Sequence, residues 1–266
     1  MLRSCFTFAF VILSALCIAA DPGEIQMPER GICAHRGNNA HFPENTVPAF
    51  QSAVEVGAAQ VELDVCYSKD KKMVIMHDSD VKRTTDGSGD IRQKTLDEIK
   101  ALKIVFKGEV QEGVQVPTLQ EVLAVIPKNV WINIHLKENR LDLILEIAET
   151  LTENGQMHQA FLLCSPDLMK EARKTYPELK LCLGPAGKTF QECADQAIAN
   201  DAQFVQPNPW AHKTLEPEAI QQLHDVGVKI NYFGVKGPEH AKELMEMGVD
   251  FPLCDDATAC VKEIQK

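Results

Sequence analysis

The sequence predicts an α/β chain that closes into a (β/α)8, or TIM, barrel with a β-hairpin and a small insertion after its second strand. Three observations carry that expectation. Once a leader is removed from the 266 residues, the length is close to the about 250 that such a barrel takes. Short apolar runs alternate with segments of helical period, and eight strand–helix units can be counted from Gly31 onward. Polar residues stand at the ends of those runs, which is how barrel strands deliver side chains to one rim.

Residues 1–20 read as a signal peptide: one cation (Arg3), a continuous apolar run and small residues at the end, with cleavage after Ala19 or Ala20. The run from Cys5 to Ala20 is 16 residues, short of the roughly 20 that span a bilayer, so no stable membrane anchor is expected. Leu16 before Cys17 is bulky where lipoprotein processing needs a small residue. The expected location is secreted or periplasmic, with residues 21–266 as the barrel domain.

Gly31–His35 is a buried strand, and Arg36-Gly37-Asn38-Asn39 turns the chain. Thr46 as N-cap and Pro48 in the first turn open a helix that Gly57 ends. Val61–Tyr67 is the second strand. The turn Ser68–Lys72 is too short for a parallel return, so Met73–His77 comes back antiparallel. A turn centred between Asp70 and Lys71 pairs residues summing to 141 and sets His77 opposite Asp64. Residues of about 78–116 form the insertion, with a short helix at Leu96–Leu102. Thr118 caps the delayed second helix, Pro117–Ile126. Then come strand Val130–Leu136, helix Leu141–Glu153, strand Ala160–Cys164, helix Pro166–Tyr176, strand Leu179–Leu183 and helix Phe190–Asn200. Strand Gln203–Gln206, helix Pro217–Val226, strand Val228–Phe233, helix Pro238–Met247, strand Phe251–Cys254 and a helix from Ala257 complete the chain.

Without Arg3, 26 basic and 38 acidic residues leave a charge near −12. A surface this acidic repels nucleic acid, so a nucleic-acid partner is excluded, while a small phosphodiester held by locally concentrated cations is not. Seven Cys follow the leader, mostly inside apolar runs, and are expected as free, buried thiols. Cys254 and Cys260 are spaced so that they could pair, but nothing requires it.

Glu62 and Asp64 are two apart on a strand and point the same way. Their apolar flanks (Val61, Leu63, Val65) mark a core strand rather than a solvated edge. Two carboxylates this close repel unless a cation lies between them, and a hard divalent ion such as Mg²⁺ or Ca²⁺ resolves the conflict. His35 and His77 each close an apolar run on the same rim, where paired imidazoles serve as general acid and base. Arg36 adds a fork of donors shaped for phosphate, and Lys137 a point charge. Together these groups point to phosphoryl transfer.

The runs AHRG, PENT, VELDV, HD followed by RTTDGSG, and PTLQEVL, in this order, resemble the glycerophosphodiester phosphodiesterase family. The resemblance is dense from Cys33 to about Lys137, with weaker echoes in SPDLMKEARKTYPELKLCLG and GVDFPLCDD. It implies a barrel that hydrolyses glycerophosphodiesters to an alcohol and sn-glycerol 3-phosphate, with His35 and His77 as acid and base. It implies a divalent metal on Glu62 and Asp64, Mg or Ca in the family, and phosphate contacts from Arg36 and Lys137. Two positions depart from the family pattern. His135 stands where a third metal-binding Glu is usual, on the fourth strand in chain order with the hairpin arm counted; an imidazole there favours Zn²⁺ or Mn²⁺. Phe233-Gly-Val-Lys236 replaces Trp-Thr-Val-Asn, which makes Phe233 the aromatic platform for the glycerol end. Glu44 of PENT has three open roles: metal ligand, partner of Arg36, or charge at the helix N-terminus. The competing readings are a lysophospholipase D-type lipid phosphodiesterase, for which Ile104, Val105 and Phe106 hint at an apolar rim, and a non-catalytic phosphodiester-binding barrel.

Overall fold

A computed structural model describes residues 25–266; the expected leader, residues 1–20, lies outside them. Eight parallel strands close into a barrel: Cys33–Ala34, Gln60–Tyr67, Trp131–Leu136, Ala160–Leu163, Lys180–Leu183, Phe204–Val205, Lys229–Tyr232 and Phe251–Cys254. Closure is explicit, since Cys33 and Ala34 pair with Leu253 and Cys254 on one side and with Gln60 and Val61 on the other. The first, fourth, sixth and seventh strands end one residue short of the expected runs, at Ala34, Leu163, Val205 and Tyr232, and the other four end where expected.

Two packed layers follow from the period-2 alternation. Outward residues such as Leu63, Ile132, Leu162 and Ile230 are fully covered by the helices. Inward residues fill the barrel with an aromatic plug, in which the Phe161 and Phe204 rings stack with centroids 3.7 Å apart and Trp131 packs edge-on against both. Beside it two polar pairs cross the interior: Asn133 donates to Gln206 (2.9 Å) and Asn231 to Gln60 (2.8 Å). The Trp131 indole donates to Pro28 O, so the segment entering the barrel closes its lower end. The plug raises the functional cluster to the mouth. Phe161→Ala is expected to cost about 3–5 kcal/mol of stability.

The hairpin exists, but its register differs from the expected one. Ser68 and Lys72 close it: Ser68 N donates to Lys72 O and Lys72 N to Ser68 Oγ, both at 2.9 Å. Three residues therefore form the loop, with Lys71 at φ 59, and pairs sum to 140. Met76, not His77, faces Asp64. The return strand stops at Ile75, so His77 reaches the mouth on a bend rather than as part of the ladder.

Thr46 precedes helix Val47–Glu55, but its hydroxyl donates back to Pro43 O instead of capping. Thr118 does cap, in a reciprocal box with Glu121, though its helix is only Leu119–Leu123. The insertion has its own small core of Val81, Ile91, Ile99, Ile104 and Val116 against Cys66, Val74 and Met76. Its helix is Leu96–Lys100, and a hairpin at Val105–Phe106 and Glu109–Val110, turning on Lys107-Gly108, was not foreseen. Ile104 is 2% exposed, so it supplies no apolar rim. All seven thiols of the described residues are free; only Cys164 is not fully buried.

Gly37 is where backbone freedom matters. Its φ is +83, and a Cβ there would lie 2.7 Å from the Ala49 carbonyl carbon. Gly37→Ala combines strain of about 1–3 kcal/mol with a backbone clash, so thermal unfolding should shift down by several degrees. An unchanged melting temperature would contradict this packing.

Candidate active site

The first, second and third barrel strands build the site. Parallel pairing sets Asp64 beside His135 and Glu62 beside Asn133, so the two acids and the imidazole share one face. His135 Nδ1 is 3.6 Å from Asp64 Oδ1 and 4.0 Å from Glu62 Oε1. One donor atom from each of Glu62, Asp64 and His135 lies within 4.8 Å of the others. The two carboxylates are buried, and Asp64 Oδ1 has no hydrogen-bond partner. Lys137 Nζ approaches that same oxygen at 3.4 Å. A buried carboxylate oxygen that makes no hydrogen bond, in a cluster of two acids and an imidazole, fits a divalent cation.

Protonation follows the same logic. Burial and the neighbouring Asp64 charge push the Glu62 carboxyl up to about 7. Burial also opposes the Asp64 charge, but Lys137, His135 and the Asn45 amide outweigh it and hold Asp64 below its ordinary value. Desolvation pulls His135 down to about 4, so near neutrality its imidazole is uncharged and offers a lone pair.

Arg36 sits at φ 55 in the tight turn after the first strand. Its backbone N–H donates to Glu62 Oε2 (2.9 Å) and its Nη1 to Glu44 Oε1 (2.9 Å). Its Nε is buried and makes no hydrogen bond, but lies 3.6 Å from Asp64 Oδ2. Asn45, also at positive φ, donates to Asp64 Oδ2 at 2.8 Å. Of the three open roles of Glu44, the structure shows the pairing with Arg36: it holds Arg36 and takes two bonds from Arg83, and it is not among the clustered metal-type ligands.

Each of the two rim imidazoles is held by a carboxylate at Nδ1. For His35 it is Asp255, at 2.7 Å; for His77 it is Asp78, at 2.6 Å. Asp78 in turn binds Arg83, which links back to Glu44. Both imidazoles line a cavity of about 250 Å³ with Arg36, Glu62, Asp64 and His135. Phe233 lines it too, edge-on to His35 at 5.2 Å, and the 72%-exposed Trp210 packs on Phe233 at 5.4 Å. Of the other candidate site residues, Lys137 reaches this cavity's wall at Asp64 and Glu44 at Arg36, without lining it themselves.

Asp255, Asp78, Arg83 and Asn45 were missed. Asp255 carries the signal that found His35, a polar residue just past a barrel strand. Burial disfavours the His35 imidazolium, yet the Asp255 hydrogen bond and the Glu62 charge leave its pKa raised. Asp255→Asn should therefore move the pH limb governed by His35 to lower pH and lower kcat, by less than the about 10²–10⁴-fold of a lost acid or base. An unchanged pH profile would remove Asp255 as a positioning residue.

Residues 35–258 match the model of the glycerophosphoryl diester phosphodiesterase family. A glycerophosphodiester phosphodiesterase of Caldanaerobacter subterraneus is 32% identical over 248 residues, covering 88% of this chain and 98% of the relative. Among solved structures, an Oleispira antarctica phosphodiesterase in complex with the product sn-glycerol-3-phosphate superposes with TM-score 0.73. It is 26% identical and covers 89% of this chain and 97% of its own. A glycerophosphodiester phosphodiesterase of Agrobacterium tumefaciens, at 24% identity, shares the fold with TM-score 0.74, covering 88% of this chain and 99% of its own.

Proposed function

The chain belongs to the glycerophosphoryl diester phosphodiesterase family, and from that premise we propose how its own residues hydrolyse glycerophosphodiesters to an alcohol and sn-glycerol 3-phosphate. The observation that carries the reading is a pair of carboxylate-held imidazoles on one cavity, beside an acid–imidazole cluster and the Arg36 guanidinium.

Arg36 and Lys137 bind the phosphate oxygens. Phe233, packed on His35, places the glycerol half on that side. His35 accepts the proton of the attacking oxygen, whether water or the substrate's own hydroxyl. His77 donates a proton to the alcohol oxygen as its bond to phosphorus breaks. Asp255 and Asp78 fix both rings by their Nδ1 atoms, leaving Nε2 to work. A divalent cation on Glu62, Asp64 and His135 supplies, when bound, charge stabilisation for the phosphoryl group. The neutral imidazole in that set removes one negative charge, which favours Zn²⁺ or Mn²⁺ over the Ca²⁺ or Mg²⁺ of an all-carboxylate set. Loss of the leader would place the enzyme outside the cytoplasm, secreted or periplasmic.

Products decide the reading. Glycerophosphocholine should yield glycerol 3-phosphate and choline; glycerol with phosphocholine would reverse the assigned orientation, and binding without turnover would leave a phosphodiester-binding barrel. Trp210 supports a second reading, a lysophospholipase D-type activity in which its exposed ring meets an acyl chain. Faster turnover of lysophosphatidylcholine than of glycerophosphocholine would favour it. No helix of the described residues is long and apolar enough to cross a membrane.

A further inference from the structure

The mouth has a second cavity, and we propose that it receives the alcohol half of the diester and selects small cationic amino alcohols through Glu138. The proposal rests on the phosphodiester hydrolysis described above. The cavity holds about 230 Å³, and His77 is a wall of both this space and the catalytic one. Lys137, whose Nζ lies beside Asp64, borders it as well.

Position comes first. The imidazole that protonates a leaving oxygen lies within hydrogen-bond reach of it. Phe233 takes the glycerol half to the His35 side, so the alcohol lies against His77 and extends into the space that His77 and Lys137 border. That space is too small for an acyl chain, and its size suits a two-carbon amino alcohol.

Charge comes second. Cys66, Met76 and Ile91 form an apolar, buried floor. Asp78 uses one carboxylate oxygen on His77 and the other on Arg83. Arg92 is closed onto Asp90 through Nε and Nη2. Glu138 is less compensated. Its Oε1 accepts from Tyr67 N at 3.0 Å, while Oε2 has Arg140 Nη1 only at 3.9 Å. Arg140 is itself bound through two nitrogens to Asp142. The cavity thus offers one weakly paired, mostly buried carboxylate over a soft apolar floor. An ammonium group meets Glu138, and its methyl or methylene groups meet Met76 and Ile91, as in choline or ethanolamine.

The test compares two substrates and one free alcohol on the purified protein supplied with a divalent metal. Glu138→Gln keeps the acceptor for Tyr67 N while removing the charge. It should lower the ratio of kcat/KM for glycerophosphocholine to that for glycerophosphoglycerol by about tenfold, the worth of one partly screened ion pair. Choline, titrated alone and followed by NMR, should bind the parent protein and bind Glu138→Gln more weakly. Ser79→Trp, an exposed position on the cavity wall, should block choline in the same way should Glu138→Gln prove unstable. An unchanged substrate ratio, or choline binding that is absent from the parent or equal in the variants, overturns the proposal. Release of glycerol 3-phosphate from neither diester by the parent would instead reject the hydrolytic reading, and the choline titration would still decide the pocket.

Discussion

His35→Ala is expected to lower kcat on glycerophosphocholine by about 10²–10⁴-fold, the usual contribution of a positioned acid or base. The effect should fall on kcat more than on KM, because Arg36, Lys137 and Phe233, proposed to hold the substrate, are untouched. His35 is a rim residue with 12% of its side chain exposed, so its loss should leave the fold standing. Added metal should not restore the rate, since His35 Nε2 is 3.9 Å from Glu62 and His35 is not one of the clustered ligand groups. His77→Ala should behave likewise. The two losses should be far from additive, because one removes the proposed proton acceptor and the other the proposed proton donor of a single displacement. A mild loss from either variant, or rescue by metal, would return that imidazole to a structural role.

Glu62→Gln should produce a loss of similar size for a different reason. The substitution keeps the shape of the side chain and its bond from Arg36 N, but removes one of two negative charges at the cluster. Metal affinity should fall by about 10–100-fold, and excess metal should recover part of the activity. Recovery to the same degree in His35→Ala and Glu62→Gln would collapse the distinction between proton transfer and metal binding. His135→Glu probes the same cluster in the opposite direction. It adds a carboxylate beside Asp64, and the preference should move from Zn²⁺ or Mn²⁺ toward Mg²⁺ or Ca²⁺. No change in preference would mean that His135 is not a ligand.

How far the sequence could be read depended on how local each relation was. Glu62 and Asp64 share a face because their spacing is two, and that was legible from three residues. His135 joins them because of a parallel register, Asp64 beside His135, which no local pattern encodes; only the family resemblance pointed to it. The position of His77 was half legible. A short polar turn demanded an antiparallel return, but the choice between a two- and a three-residue loop depended on Lys71 taking a left-handed conformation. Asp255 lies 220 residues from His35, so its bond could be reached only through barrel closure. Ile104 looked like a rim residue because the insertion shows no clear period; it is the centre of a small core instead. Glu44 needed coordinates, since a carboxylate between two arginines and a metal ligand look the same in sequence.

Glu62, Asp64 and His135 are proposed to hold the divalent ion on which hydrolysis depends. Elemental analysis of the purified protein, paired with glycerol 3-phosphate release before and after chelation, tests it most directly. The expected result is stoichiometric bound Zn or Mn, activity lost with the metal and regained on its return, and both reduced together in Glu62→Gln. Undiminished hydrolysis by protein from which all divalent metal has been removed would contradict it.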